Sequence, residues 1–140
     1  MRVVAFAPSL SAVEEDAGGV NIKGFPMTSC YVDSFPAQIT VPMVIAVCAL
    51  GGGDYDPVRV IIANSPEEER VGSLEFGWHW HDNPPTPVKF RVFTQYLPMR
   101  AEAPGVYMIG LYNSLDETET DIMFPLPVLK RNPFLQPRND

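Results

Sequence analysis

The chain contains few of the residues from which catalytic and metal sites are most often built. Among its 140 residues are two histidines and two cysteines, and both histidines fall within residues 79–81. No Gly-x-Ser-x-Gly element is present, so a serine or cysteine hydrolase has little support. The three glycines at 51–53 lack the Lys-Ser/Thr ending of a phosphate-binding loop. We therefore predict no enzyme activity and no cofactor.

Positive charge and long apolar runs are also scarce. The chain has 10 Lys and Arg against 17 Asp and Glu, a net charge of −7. A nucleic-acid surface needs clustered basic residues, so no nucleic-acid partner is expected. No run reaches the ~18 apolar residues of a membrane span, and the apolar part of residues 1–8 is too short for a secretory signal. We expect a cytoplasmic protein with two reduced thiols, Cys30 and Cys48.

Proline and glycine are abundant instead, and they divide the chain into short apolar segments. Fifteen prolines and ten glycines argue against long helices, because proline lacks the backbone donor that helices and sheets use. The clearest alternating segment is 88–96, where Val88, Phe90 and Val92 share a face with Thr94 and Tyr96. Such a period of two is typical of a half-buried strand. The pattern predicts an all-β protein.

The number and spacing of the alternating segments predict one antiparallel β-sandwich, either jelly-roll or immunoglobulin-like, with about eight strands. We place the sandwich domain at residues 1–129 and an extended C-terminal tail at 130–140. Residues 39–50 are apolar on both faces, as expected of a central strand, and 9–16 could hold one helical turn. The predicted core consists of Val4, Phe6, Ile45, Val47, Val60, Ile62, Phe76, Trp78, Phe90, Val92, Val106 and Met108.

The segment 77–82 contains the one candidate metal site. His79 and His81 lie two residues apart, which on a strand places their Cα atoms ~6.8 Å apart on one face, with Asp82 next to them. This spacing resembles part of the cupin metal motif, although the glutamate and third histidine of that motif are missing. If 70–81 pairs with 88–96, Lys89 and Arg91 lie beside the histidines and disfavour a bound cation. We favour surface histidines and keep a cupin-like metal enzyme as an alternative.

Three short motifs carry a resemblance to known proteins. Pro104-Gly105-Val106-Tyr107 looks like the late strand of many sandwich domains, where the tyrosine packs at a corner. Together with the segments 19–24 and 124–128, it makes the chain resemble, over roughly residues 1–128, a group of small bacterial single-domain β-sandwich proteins of uncharacterised function. That group carries no established catalytic residues, so the resemblance implies a fold and no site.

Two non-catalytic functions remain open at this stage. The leading hypothesis is a protein-interaction or assembly subunit that contacts other protein chains, as a homo-oligomer or within a larger complex. Its tail would take part through Pro133, Phe134 and Leu135, because proline favours an extended conformation. The alternative is a sandwich that binds a small ligand or carbohydrate by stacking on aromatic side chains. The candidate stacking residues are Trp78, Trp80, Tyr96 and Tyr112.

Overall fold

The computed structural model describes residues 1–16, 19–50, 57–80 and 87–134, and this part of the chain forms ten strands and no helix. The strands are β1 (Arg2–Pro8), β2 (Ser11–Glu14), β3 (Val20–Lys23), β4 (Cys30–Val32), β5 (Ala37–Leu50), β6 (Val58–Asn64), β7 (Arg70–Gly77), β8 (Val88–Ala101), β9 (Gly105–Tyr112) and β10 (Met123–Lys130). The all-β class is confirmed. The strand number is higher than expected, and residues 11–14 form a strand and not the helical turn that 9–16 could hold. Within the described residues no helix could serve as a membrane span.

The strands form three sheets. One has three strands in the order β1-β5-β8, one has five in the order β4-β10-β9-β6-β7, and β2 pairs with β3. All pairings are antiparallel except that of β4 with β10, which is parallel, so the expectation of a purely antiparallel fold is wrong at that edge. The sequence left open whether 70–81 pairs with 88–96; in the structure β7 pairs with β6 and β8 pairs with β5.

Side chains from both larger sheets build the main core. Met43, Ile45 and Val47 of β5 share one apolar cluster with residues of β6, β9 and β10, among them Ile61 and Leu126. Phe76, Trp78 and Phe93 extend this core as an aromatic group with ring centroids 5.4–5.9 Å apart. Apolar side chains from both sheets thus hold the fold together by removing their surface from water.

A bulge in β1 corrects the predicted orientation of its side chains. The register with β5 shifts between Val3 and Ala5, so Val3 and Phe6 both pack against the core although they are three residues apart. Val4, predicted to be in the core, is 48% exposed. A bulge adds one residue to one strand of a pair and thereby moves the following side chains to the other face.

The predicted faces of β8 and β9 are wrong as well. Phe90 and Val106, expected in the core, are 54% and 47% exposed. In β8 the buried face instead carries Phe93, Leu97 and Met99, because the strand continues to Ala101 and its second half is apolar on that face. Lys89, expected outside, is 5% exposed.

Candidate functional site

The outer face of the five-stranded sheet, which points away from the main core, carries a groove of about 610 Å³. This volume lies within the range of sites that hold small ligands or side chains of a partner. We call it the outer groove. Its floor consists of Ile62 from β6, Val106, Met108 and Tyr112 from β9, and Met123 from β10; its walls include Ser65, Pro66, Glu68, Glu117 and Thr118.

The floor of the groove forms because β6 and β9 carry apolar side chains on their outer face as well as on the inner face that packs in the main core. Tyr112 is 3% exposed and packs with Val60 and Ile62 in a second small cluster. A Cβ at Gly110 would lie 2.7 Å from the Tyr112 ring, so the absence of a side chain there leaves room for that ring. The loop after β9 is fixed over the sheet where Thr120 Oγ1 donates to the Leu111 carbonyl at 2.6 Å. The floor is therefore a built part of the fold.

Hydrogen bonds hold the two walls in place. Arg70 Nη2 donates to the Leu115 carbonyl at 3.1 Å and so ties β7 to the loop after β9. Both carboxylate oxygens of Glu117 accept hydrogen bonds from Asn113, each at 3.1 Å. On the opposite wall, the Glu68 amide donates to the Ser65 carbonyl at 2.9 Å. Glu68 itself has a backbone φ of 64°, a left-handed conformation that residues other than glycine rarely adopt.

The surroundings of the outer groove are strongly acidic. Exposed or half-exposed acids flank it in the turn after β6 and in the loop after β9; they are Glu67, Glu68, Glu69, Asp116, Glu117, Glu119 and Asp121. Arg70 is the one basic residue among the described residues that line the groove. An apolar floor with acidic walls favours an occupant that combines an apolar group with a positive charge.

The outer face of the three-stranded sheet offers a second surface, which we call the apolar outer face. Ala5, Ala46 and Val92 lie side by side across its three strands, and the next rows pair Cys48 with Phe90 and Leu50 with Val88. Several of its side chains are largely exposed: Leu50 84%, Phe90 54%, Val4 48% and Val88 44%. Contiguous exposed apolar surface of this kind marks interaction sites.

One end of this same sheet face is already covered within the chain. The β2–β3 hairpin packs against β5 and β8, and Tyr96 donates from its hydroxyl to the Ala12 carbonyl at 3.3 Å. Under the hairpin Val44 is 2% and Thr94 9% exposed, although both point outward from the sheet. The apolar outer face is thus the part of the sheet that the hairpin does not cover.

A smaller cavity of about 470 Å³ lies near β4 and is lined by Ser9, Cys30, Asp33 and Arg131 among others. Arg131 forms an ion pair with Asp33 at 2.5 Å. Burial raises the pKa of the Cys30 thiol above its ordinary value of 9.0, and the positive charge of Arg131 opposes that shift. A thiol that stays protonated is a weak nucleophile, so the cavity offers no activated cysteine. Cys30 and Cys48 are both free.

The four candidate stacking residues do not share one surface. Trp78 is 6% exposed and lies in the main core, where Trp80 packs edge-on against it at 5.9 Å between ring centroids. Tyr96 lies beside the β2–β3 hairpin, and Tyr112 lies in the floor of the outer groove. The ligand-binding alternative therefore has to rest on one of these places at a time.

The candidate metal and partner residues are only partly described. His79 is exposed, and its carbonyl accepts a hydrogen bond from Arg91 Nη1 at 2.7 Å; His81 and Asp82 lie outside the described residues. The described residues contain no group of three His, Cys, Asp or Glu side chains that could hold a metal ion. Pro133 and Phe134 follow β10, with Phe134 93% exposed, and Leu135 lies outside the described residues.

Sequence reasoning missed the outer groove and the apolar outer face. The available signal was that β9 is apolar on both faces and is followed by an acidic loop. Comparisons with known proteins add no assignment: no protein-family model, no curated protein and no solved structure matches this chain.

Proposed function

We propose that this protein is a β-sandwich interaction or assembly subunit without a catalytic role, and that it associates with a second copy of itself through the apolar outer face. The observation that carries the proposal is the exposure of Leu50, Phe90, Val4 and Val88 on one sheet face. Contiguous exposed apolar surface of this kind often marks a site of protein–protein interaction. A partner that covers it gains the free energy of apolar burial.

The size of the face agrees with a dimer interface. The exposed fractions of these side chains, with their half-buried neighbours, amount to roughly 400–500 Å² per chain, which is at the scale of the largest apolar patches on monomers. Two such faces together bury roughly 800–1,000 Å², which approaches the ~1,000 Å² expected of a specific interface. The polar rim of a typical interface would add to this area.

The charge distribution supports a second copy as the occupant. Arg2 is paired with Cys48 at the edge strand β1 and is exposed, so it lies at the rim of the face and not at its centre. A two-fold dimer brings the same patch of both chains together. In this dimer the centre of the contact would consist of apolar side chains, so that no two like charges face each other there. The net charge of −7 resides elsewhere, and salt screens its repulsion.

The test is the native mass of the protein at increasing concentration, measured by light scattering or sedimentation equilibrium. We expect a dimer for the natural sequence, and monomers for Leu50→Glu and Phe90→Glu because each places a charge in the apolar contact. Val13→Glu is the matched control: Val13 is 63% exposed but belongs to the β2–β3 hairpin. Circular dichroism checks that every variant is folded.

A monomer at all concentrations, or a dimer that tolerates both charged substitutions, contradicts the proposal. Metal analysis of the same sample distinguishes the proposed assembly subunit from the cupin-like metal enzyme. Stoichiometric metal that is lost when His79 and His81 are both replaced by Gln would favour the enzyme.

A further inference from the structure

The outer groove calls for an occupant other than the apolar outer face, because the two lie on different sheets. Its floor is apolar, and its walls carry the carboxylates of Glu68 and Glu117. A matching ligand needs an apolar group for the floor and a positive charge for a wall. An extended chain would suit the shape, because the floor follows β9 from Val106 to Tyr112, a distance of ~20 Å along a strand.

The C-terminal segment of this chain has the required chemistry. Phe134 is 93% exposed, and its amide is held by Asn132 Oδ1 at 3.0 Å, so the ring points into water and not onto its own chain. The sequence then continues Leu135-Gln136-Pro137-Arg138. Proline in a sequence favours extended conformations and so reduces the entropy that a peptide loses on docking.

We infer that the outer groove of one copy binds the C-terminal segment of a second copy, with Phe134 on the apolar floor and Arg138 beside a wall carboxylate. Phe134 and Arg138 are four residues apart, ~13 Å in an extended chain, which is shorter than the floor. This inference deepens the assembly proposed above and rests on it, but it assigns a separate contact.

A carboxylate lies near each end of the floor, so Arg138 can form an ion pair whichever way the segment runs. Pro66 approaches Gly105 at the start of β9, where a Cβ would lie 2.6 Å from Pro66 Cγ, and Glu68 belongs to the same turn. Glu117 is bound to Asn113, immediately after the end of β9. A bound segment therefore brings its arginine near a carboxylate in either direction along the strand. Burial of Phe134 supplies the main gain, because aromatic side chains dominate the energetics of interfaces.

The experiment uses a labelled peptide of residues 131–140 and the protein truncated after Asn132. The truncation keeps Arg131, which donates from its backbone amide to the Val32 carbonyl at 2.7 Å and from its side chain to Asp33. Fluorescence anisotropy should show saturable binding of the peptide. A peptide with Phe134→Ser should bind at least about tenfold more weakly, as expected for loss of a central anchor.

Variants of the groove locate the site. Val106 is 47% exposed, so Val106→Lys should leave the fold intact, and it should weaken peptide binding about tenfold by placing a charge on the floor. Glu68→Gly removes one wall carboxylate and suits the left-handed backbone at that position; it should weaken binding several-fold, and more at low salt. Glu67→Gln, in the same turn but outside the lining of the groove, is the matched control and should bind normally.

Absence of peptide binding, or binding that Val106→Lys does not weaken, overturns the inference. These results differ from a failure of the proposed dimer, because the apolar outer face is tested by the mass of the Leu50→Glu and Phe90→Glu variants without any peptide. A truncated chain that still forms the dimer and binds the peptide in the outer groove supports both contacts. A dimer without peptide binding leaves the proposed function standing and removes the tail from it.

Discussion

The hydrogen bond of Tyr107 allows a quantitative test of how the turn before β9 is held. Tyr107 is 2% exposed, and its hydroxyl donates to the Ala103 carbonyl at 2.7 Å. The bond spans the Pro104-Gly105 turn. Tyr107→Phe keeps the buried ring and removes only this hydroxyl.

The expected cost is about 1 kcal/mol, the net contribution of a typical intramolecular hydrogen bond. It should not approach the ~3 kcal/mol of a buried acceptor left without a partner, because Ala103 is exposed and water can reach its carbonyl. A loss of 1 kcal/mol reduces the ratio of folded to unfolded protein roughly fivefold.

Tyr96→Phe is the matched control. Its hydroxyl also donates to a backbone carbonyl, that of Ala12, but at 3.3 Å and from a side chain that is 53% exposed. Its loss should change the free energy of unfolding by no more than ~0.5 kcal/mol, as for other surface substitutions. Urea unfolding followed by tryptophan fluorescence measures both variants, provided that the slopes agree. If Tyr107→Phe is neutral, or costs less than Tyr96→Phe, the turn is not held by this bond.

The fold class could be predicted because it depends on local sequence. Alternating segments and closely spaced prolines exclude long helices, and the segment 39–50, apolar on both faces, indicated a central strand. β5 is indeed the middle strand of its sheet, with Ile45 in the main core and Val44 beneath the β2–β3 hairpin. Burial on both faces explains the pattern.

The pairing of the strands could not be predicted in the same way. β5 and β8 pair over their whole length, from Ala37 with Ala101 to Leu50 with Val88, although β6 and β7 lie between them in the sequence. Alternation shows which residues share a face but does not identify the neighbouring strand. Whether 70–81 and 88–96 form a hairpin was therefore open from the sequence, and in the structure β7 pairs with β6 and β8 with β5.

The sequence also could not determine which face of a strand points to the main core when both faces are apolar. In β9, Val106 and Met108 are as apolar as Tyr107 and Ile109, so composition cannot decide which pair faces the main core. The structure buries Tyr107 and Ile109 and leaves the other two on the floor of the outer groove. That groove combines three strands and two loops; the apolar faces of β9 and the acidic loop after it were visible in the sequence, but their assembly with β6 and β10 depends on the strand pairing.

Two further predictions concern close packing and the half-buried thiol of Cys30. A Cβ at Gly72 would lie 2.4 Å from the Pro98 carbonyl oxygen, so Gly72→Ala should force β7 and β8 apart and lower the free energy of unfolding in urea by about 1–3 kcal/mol. Gly77→Ala is the control and should cost less, because its Cβ would lie 3.1 Å from the Pro57 carbonyl oxygen. Equal losses for the two variants would show that the sheets are not in close contact at Gly72. The thiol of Cys30 has a pKa raised above its ordinary value of 9.0, mainly by burial. The thiolate therefore forms more readily in the unfolded chain than in the folded one. The contribution of Cys30 to the free energy of unfolding is complete below pH 9.0 and is lost as the pH rises through the pKa of the folded state. The free energy of unfolding should therefore fall more steeply in this alkaline range for the natural sequence than for Cys30→Ala, which lacks the titrating group. Identical pH profiles would show that folding does not raise the pKa of the Cys30 thiol.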